Sequence, residues 1–262
     1  MLFFIQIPRT GGTTLNQLFH LAYGKRHVGF YPPPPGPLRL TTQQHAELHT
    51  YFNNAMSFSS TVVRREPVLF EAWPSAKFMT ILRDPVERLV SDYLSFFSKY
   101  GISSDNIPDY LQSYAGSLQN YSRDNSNQNL MTRYLSGVER ETLLESEHLE
   151  MAKNALGQVD YVLLCEFFDL TLAPVLVDFP ELHQWHRQKL NANPQREDGF
   201  EYRSALDGGV IEELTELNRL DMALYQHACN LVAQRLSAVD FRGLFAASRG
   251  GRKTQDEMGR PR

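Results

Sequence analysis

A chain of 262 residues with 42% hydrophobic content can bury one sizeable core, and α/β domains of this length are commonly single. A formal net charge of −4 and a pI near 6.1 argue against a general nucleic-acid binder, which normally shows a basic face or stripe, so any anionic ligand has to be held by local arginines. No stretch approaches the roughly 20 apolar residues of a membrane span, and no metal-ligand or C-x-x-C spacing links the two cysteines. Cys165 and Cys229 fall on apolar patterns and are expected to be small core residues in a reducing compartment.

The first predicted element is a buried strand, Phe3-Phe4-Ile5-Gln6-Ile7. It runs through Pro8-Arg9-Thr10-Gly11-Gly12-Thr13-Thr14 into an apolar-periodic helix that ends near Tyr23. Strand, glycine-hydroxyl turn and helix make a phosphate cradle. The first N–H groups of a helix lack intrahelical partners and carry the positive end of the macrodipole, and glycines let an anion approach them. Thr13 and Thr14 can add hydroxyl donors and Arg9 a charge. The string is not the Walker loop, which needs a lysine for the outer phosphates and a hydroxyl for magnesium. The same residues also suit a ligand-free turn before a Thr-capped helix.

Tyr31-Pro32-Pro33-Pro34-Pro35-Gly36-Pro37 predicts a stiff polyproline connection. Residues 41–54 read as a short polar helix with His45 and His49 on one side, and residues 60–64 as a strand. The next strand is Phe78-Met79-Thr80-Ile81-Leu82. The turn Arg83-Asp84-Pro85 follows it, then a helix to about residue 100 on which Val86, Leu89, Val90 and Tyr93 share a face. Arg83 thus lies at a strand's carboxyl end, and Ser91, two turns into the helix, can point back toward it, where open α/β sheets collect ligands. Residues 101–127 are polar and lack apolar periodicity, as in an acceptor-binding lid or an irregular surface loop. A helix at 141–156, a strand at 161–164 and one long amphipathic helix at 210–236 complete the α/β pattern. Residues 248–262 are polar and contain glycine; with Arg249, Arg252, Lys253, Arg260 and Arg262 against Asp256 and Glu257 they read as a disordered tail of net charge +3. The reading is therefore one domain over residues 1–247 and a tail over 248–262.

The two arginine-containing segments, in this order, make the chain resemble the sulfotransferases that use 3′-phosphoadenosine 5′-phosphosulfate. The likeness is to their carbohydrate branch, with the heparan 2-O- and 6-O-sulfotransferases and bacterial relatives. In that family the first loop, usually P-K-T-G-G-T-[ST], holds the 5′-phosphosulfate. The R-D-P-x-x-R-x-x-S segment holds the 3′-phosphate through its first arginine and its serine. The resemblance assigns the cofactor to Arg9, Thr10, Gly11, Gly12, Thr13, Thr14, Arg83 and Ser91. Asn127-Gln128-Asn129-Leu130-Met131-Thr132-Arg133-Tyr134-Leu135-Ser136-Gly137, Tyr161 to Asp169, Leu190-Asn191-Ala192-Asn193-Pro194, and the pattern of Asn218, Asp221, Leu224 and Tyr225 are similar to the same branch. The resemblance implies a single P-loop-like three-layer domain with a central, mostly parallel sheet between helices. The implied activity is sulfuryl transfer to a hydroxyl on a sugar or other acceptor, releasing 3′,5′-bisphosphoadenosine without a metal. Family relatives in the Golgi carry a membrane anchor; a cytoplasmic enzyme is expected if this chain is complete, a luminal one if an anchor preceded it.

Arg9 stands where the family usually has lysine. It can pair bidentately with phosphate but cannot give up a proton, so it serves as a charge at the leaving phosphate. The acceptor hydroxyl needs a general base. Many relatives place a histidine after the second strand, where this chain reads Val62-Val63-Arg64-Arg65-Glu66-Pro67. Glu66 is the first candidate for the base and the pair His45 and His49 the second. His183 and His186, beside Trp185, can line an acceptor pocket, while His20 and His227 read as packing residues. Arg64 and Arg65 can grip an acidic acceptor. Asn129, Thr132 and Arg133 form a polar cluster in an apolar helix pattern, which suits an acceptor wall or a buried arginine paired with a carboxylate such as Glu166. A nucleotide kinase and a non-catalytic nucleotide-binding relative remain the competing classes.

Overall fold

The computed structural model describes residues 1–31, 43, 47, 54–63, 69, 73–97, 107–139, 142–186 and 201–238. Among these, five strands form one parallel sheet: β1 (Leu2–Ile5), β2 (His27–Phe30), β3 (Ser57–Ser60), β4 (Lys77–Leu82) and β5 (Tyr161–Leu164), in the order β2-β3-β1-β4-β5. Leu2 pairs in register with Ser57 on one side and Lys77 on the other. Strands buried on both faces read as continuous apolar runs, which is why β1 and β4 stand out in the sequence. Alternate residues of β1 serve opposite faces. Phe3 and Ile5 join Phe58, Phe78, Val162 and Leu164 in one core cluster, Leu2 and Phe4 join Met79, Ile81 and Leu163 in the other.

Helices α1 (Gly12–Tyr23) and α7 (Phe168–Asp178) cover the second face through Leu15, Leu18, Phe19, Leu172 and Val175. Helices α5 (Leu130–Ser136), α6 (Ser146–Gly157) and α9 (Arg219–Ser237) cover the first through Met131, Leu135, Ala152, Leu156, Leu224 and Ala228. A third cluster gathers α2 (Pro85–Phe97), α3 (Ile107–Ser113), α4 (Ala115–Arg123) and α8 (Gly208–Leu217) around Leu89, Tyr93, Leu111, Leu118 and Leu214. The result is a three-layer α/β domain with a helical flank.

Several elements depart from the expectations of sequence. Strand β3 occupies Ser57–Ser60 rather than residues 60–64. Val62 and Val63 are buried just beyond it, and two of the strand's serines are satisfied inside: Ser57 Oγ shares a hydrogen bond with His27 Nδ1 (2.8 Å), and Ser60 Oγ accepts from Val62 N (3.1 Å). Strand β2 went unpredicted, because an edge strand of His-Val-Gly-Phe, only partly buried, carries little apolar pattern. Residues 107–123 are two helices, not a loop, and Ile107, Leu111 and Leu118 anchor them. The closing helix is two helices broken at Asn218. Gln43 and Glu47 are hydrogen-bonded one turn apart (2.8 Å). The polyproline stretch 32–37 and the tail 248–262 lie outside the described residues.

The connection leaving β1 runs to β2 at one edge of the sheet, and the connection leaving β4 runs to β5 at the other. Since β1 and β4 are neighbours, their carboxyl ends form the switch point at which an open parallel sheet has a crevice. Both arginine-containing segments emerge there.

Candidate active site

Gly11, at the N-cap of α1, has φ 100°, a conformation open to glycine. A Cβ there would also stand 3.4 Å from Cys165 Sγ and from Ile81 Cδ1. Gly12 packs so closely on Gln6 that a Cβ would lie 2.9 Å from its Cγ. Thr10, fully buried, donates from its hydroxyl to Ile7 O (2.9 Å) and so locks the turn instead of facing solvent. Thr13 is exposed and Thr14 half-buried, both on the first turn of α1.

Arg9 has φ 67°, a left-handed conformation that costs a non-glycine residue about 1–2 kcal/mol. The turn carries its side chain across to α2, where Nη2 donates to Ser91 O (3.2 Å). Its carbonyl accepts from Arg83 Nη1 (3.4 Å). Desolvation lowers the pKa of the solvent-facing Arg9; Asp92 opposes this and Arg83 and Arg88 add to it, and the guanidinium stays charged.

Arg83 and Ser91, the second expected anion group, are 6% and 9% exposed, at the carboxyl end of β4 and on α2. Arg83 Nη2 pairs with Glu87 Oε2 at 3.0 Å, and its guanidinium carbon lies 5.5 Å from the ring centroid of Tyr202. Asp84 caps α2, accepting from Val86 N and Glu87 N (both 3.0 Å). Arg203 clamps the same carboxylate from Nε (3.2 Å to Oδ1) and Nη2 (3.0 Å to Oδ2). Glu166 holds the turn from behind: it accepts from Asp84 N (2.8 Å) and from the Tyr225 hydroxyl (2.6 Å), whose pKa is raised by burial and by that carboxylate. Arg88, also in the R-D-P-x-x-R-x-x-S string, is fully buried. It reaches Asp92 and Asn127 O, each at 3.3 Å.

The cluster expected to form an acceptor wall faces inward. Asn129 accepts from Leu220 N (2.9 Å) and Asp221 N (3.1 Å) and donates to Leu217 O (3.1 Å). Thr132 is fully buried, and its N–H donates to Asp221 Oδ1 (2.7 Å). Arg133, 2% exposed, donates to the carbonyls of Glu139 (2.7 Å), Thr142 (2.9 Å) and Asn125 (3.4 Å); Glu166 is engaged elsewhere. The Asn129 side chain and the Thr132 backbone tie α5 to α9, while Arg133 fastens α5 to the segments before and after it. Arg64, Arg65, Glu66, His45 and His49 lie outside the described residues. His183 is exposed, and His20 is exposed on α1 rather than packed.

Sequence reasoning missed Tyr202 and Arg203, which sit on a 3₁₀ turn (Tyr202–Ala205) some 120 positions beyond Arg83, and it gave no role to Glu87. The i, i+4 spacing of Arg83 and Glu87 was the available signal for the latter. Nothing in the sequence pointed to the former.

Geometry thus defines an α/β protein with a glycine-containing loop and an arginine–serine cluster side by side at the switch point of its sheet. The sulfotransferase family model matches residues 1–228, and the chain belongs to that family. Among solved structures it is similar to a sulfotransferase from Alicyclobacillus acidocaldarius, with 17% identity, a TM-score of 0.39, and coverage of 88% of this chain and 95% of that one. No curated protein matches the chain. Among the described residues no helix is long and apolar enough to cross a membrane, and no group of three or more His, Cys, Asp or Glu is arranged to hold a metal ion.

Proposed function

We propose that the protein transfers a sulfuryl group from 3′-phosphoadenosine 5′-phosphosulfate to a hydroxyl of a carbohydrate or glycoconjugate. The 5′-phosphosulfate is assigned to the loop formed by Arg9, Thr10, Gly11, Gly12, Thr13 and Thr14. The 3′-phosphate is assigned to Arg83 and Ser91. One observation carries this reading: Arg9 joins the two sites, its guanidinium on the Ser91 carbonyl and its own carbonyl on Arg83, so a nucleotide phosphorylated at both ends meets one continuous cradle.

In-line transfer breaks the bond between sulfur and the bridging phosphate oxygen as the acceptor oxygen bonds to sulfur. Negative charge then collects on the departing phosphate. The Arg9 guanidinium and the first N–H groups of α1 suit that charge, as cations and backbone dipoles do in phosphoryl transfer. The acceptor proton goes to a general base, for which Glu66, His45 and His49 remain the candidates, and Arg64 and Arg65 those for an acidic acceptor. Because Asn129, Thr132 and Arg133 are spent on interior bonds, their contribution to the acceptor site is the rigidity of its surroundings.

The test is calorimetric binding of 3′,5′-bisphosphoadenosine, 5′-AMP and ATP, each in EDTA and with added magnesium. The bisphosphate is expected to bind at least tenfold tighter than 5′-AMP, matching the roughly 1.5–3 kcal/mol of a hydrogen bond to a charged group. Tighter binding of ATP that requires magnesium would overturn the reading in favour of a kinase.

A further inference from the structure

The second anion site already holds an anion, supplied by the protein. Arg83 is 6% exposed and Glu87 5%, and they pair at 3.0 Å. The other oxygen of Glu87 accepts from Arg203 N (2.9 Å), the backbone of the Tyr202–Ala205 turn. Arg203 fastens the same turn to Asp84, and the Tyr202 ring covers the Arg83 guanidinium. Arg83 also donates to the Arg9 carbonyl from Nη1. Before any ligand arrives, two of its three nitrogens are therefore engaged and one of its faces is roofed. A salt bridge this buried carries a desolvation cost that its own attraction scarcely recovers, so stability alone is a weak reason for it.

We propose that Glu87 is the internal counter-ion of this site and a positioning residue for Arg83. Its carboxylate holds the guanidinium beside the Arg9 carbonyl and fastens the Tyr202–Ala205 turn above it. It also keeps a full negative charge beside the incoming phosphate, so affinity for the bisphosphorylated product is limited and release is quickened. This rests on the assignment of Arg83 and Ser91 to the 3′-phosphate. Position and charge make opposite contributions to binding, and two substitutions separate them. Gln at 87 keeps one acceptor oxygen, which can stay on Arg203 N, and puts an uncharged NH2 toward Arg83 in place of the carboxylate oxygen; Ala removes both acceptors.

The experiment measures equilibrium binding and dissociation of 3′,5′-bisphosphoadenosine and 5′-AMP with the parent, Glu87→Gln and Glu87→Ala. In Glu87→Gln the bisphosphate should bind roughly three- to tenfold tighter, as expected for removing one unit charge near a partly screened ion pair. The gain should appear as slower dissociation, shrink with added salt, and be absent for 5′-AMP. In Glu87→Ala the 3′-phosphate preference should fall. A parent that prefers the bisphosphate and a Glu87→Gln variant that binds it equally or more weakly would overturn the counter-ion role alone. A parent without that preference would overturn the assignment of the site, and the role of Glu87 with it.

Discussion

Arg9, Gly11 and Gly12 show how single residues set the site. Two positive-φ positions in three residues bend the chain so that the start of α1 faces the crevice while Arg9 points across to α2. With Arg9 assigned to the end that both ligands share, Arg9→Ala should weaken binding of 3′,5′-bisphosphoadenosine and 5′-AMP alike by about 1.5–3 kcal/mol. Calorimetry with the two ligands checks this, and a loss confined to the bisphosphate would reassign the residue. Gly12→Ala drives a Cβ into Gln6, whose Oε1 accepts from Asn16 Nδ2 (2.6 Å) and the Tyr31 hydroxyl (2.7 Å). Loss of phosphate binding with the fold retained is the expected result. At this scale the loop was legible because its chemistry is local: glycines, hydroxyls and one arginine in seven residues. Arg133 was not, since a buried guanidinium that hydrogen-bonds to carbonyls and one that faces an acceptor are the same letter in the same apolar pattern.

Between elements, α5 and α9 cap each other. Asn129, just before α5, accepts from the first N–H groups of α9. Asp221, on α9, accepts from Met131 N (3.0 Å) and Thr132 N (2.7 Å) at the start of α5. Asn218 Oδ1 closes the exchange by accepting from Asn129 N (3.0 Å). Burial raises the pKa of Asp221 against the pull of Arg88 and these N–H groups. Either Asn129→Ala or Asp221→Ala strands buried donors and should cost about 2–4 kcal/mol in urea unfolding. Because the two side chains serve one clasp, the double variant should lose less than the sum. Additive losses would mean that the two caps act independently. The clasp also explains two motifs that sequence could only match: the Asn-x-x-Thr-Arg string and the Asn218, Asp221, Leu224, Tyr225 pattern are its halves. Tyr225 and Glu166 extend it to the Arg83-Asp84 turn. The break at Asn218 was hidden because apolar periodicity continues through it, with Val210, Leu214, Leu220 and Leu224 all buried.

For the whole molecule, strands were readable where burial comes with a continuous apolar run, as in β1, β4 and β5, and misplaced at the buried but serine-rich β3; strand order was not readable, because it depends on which crossover lands beside which. The crevice between β1 and β4, and the meeting of Arg83 with Tyr202 and Arg203, follow from that order. Acid stability is another property of the folded chain. His27, partly buried against Phe19 and bonded to Ser57, has its pKa lowered from 6.5 to about 4 by desolvation, with His20 adding to the effect. The unfolded chain therefore binds a proton that the native ring refuses between those values. Stability from this residue is intact above pH 6.5, declines as pH falls, and is fully lost below about 4. The loss is about 3 kcal/mol at most, reduced by solvent at a partly exposed ring. His27→Gln should unfold with a shallower decline from pH 7 to 4 than the parent; an unchanged slope would mean that His27 titrates normally. Two cationic sites at one switch point are assigned to the two ends of a bisphosphorylated nucleotide. The direct measurement is the ratio of affinities for 3′,5′-bisphosphoadenosine and 5′-AMP in the parent, Arg83→Ala and Ser91→Ala. The ratio should be at least ten in the parent and collapse toward one in both variants while 5′-AMP binding persists; a ratio untouched by either substitution would rule out this assignment of the two sites.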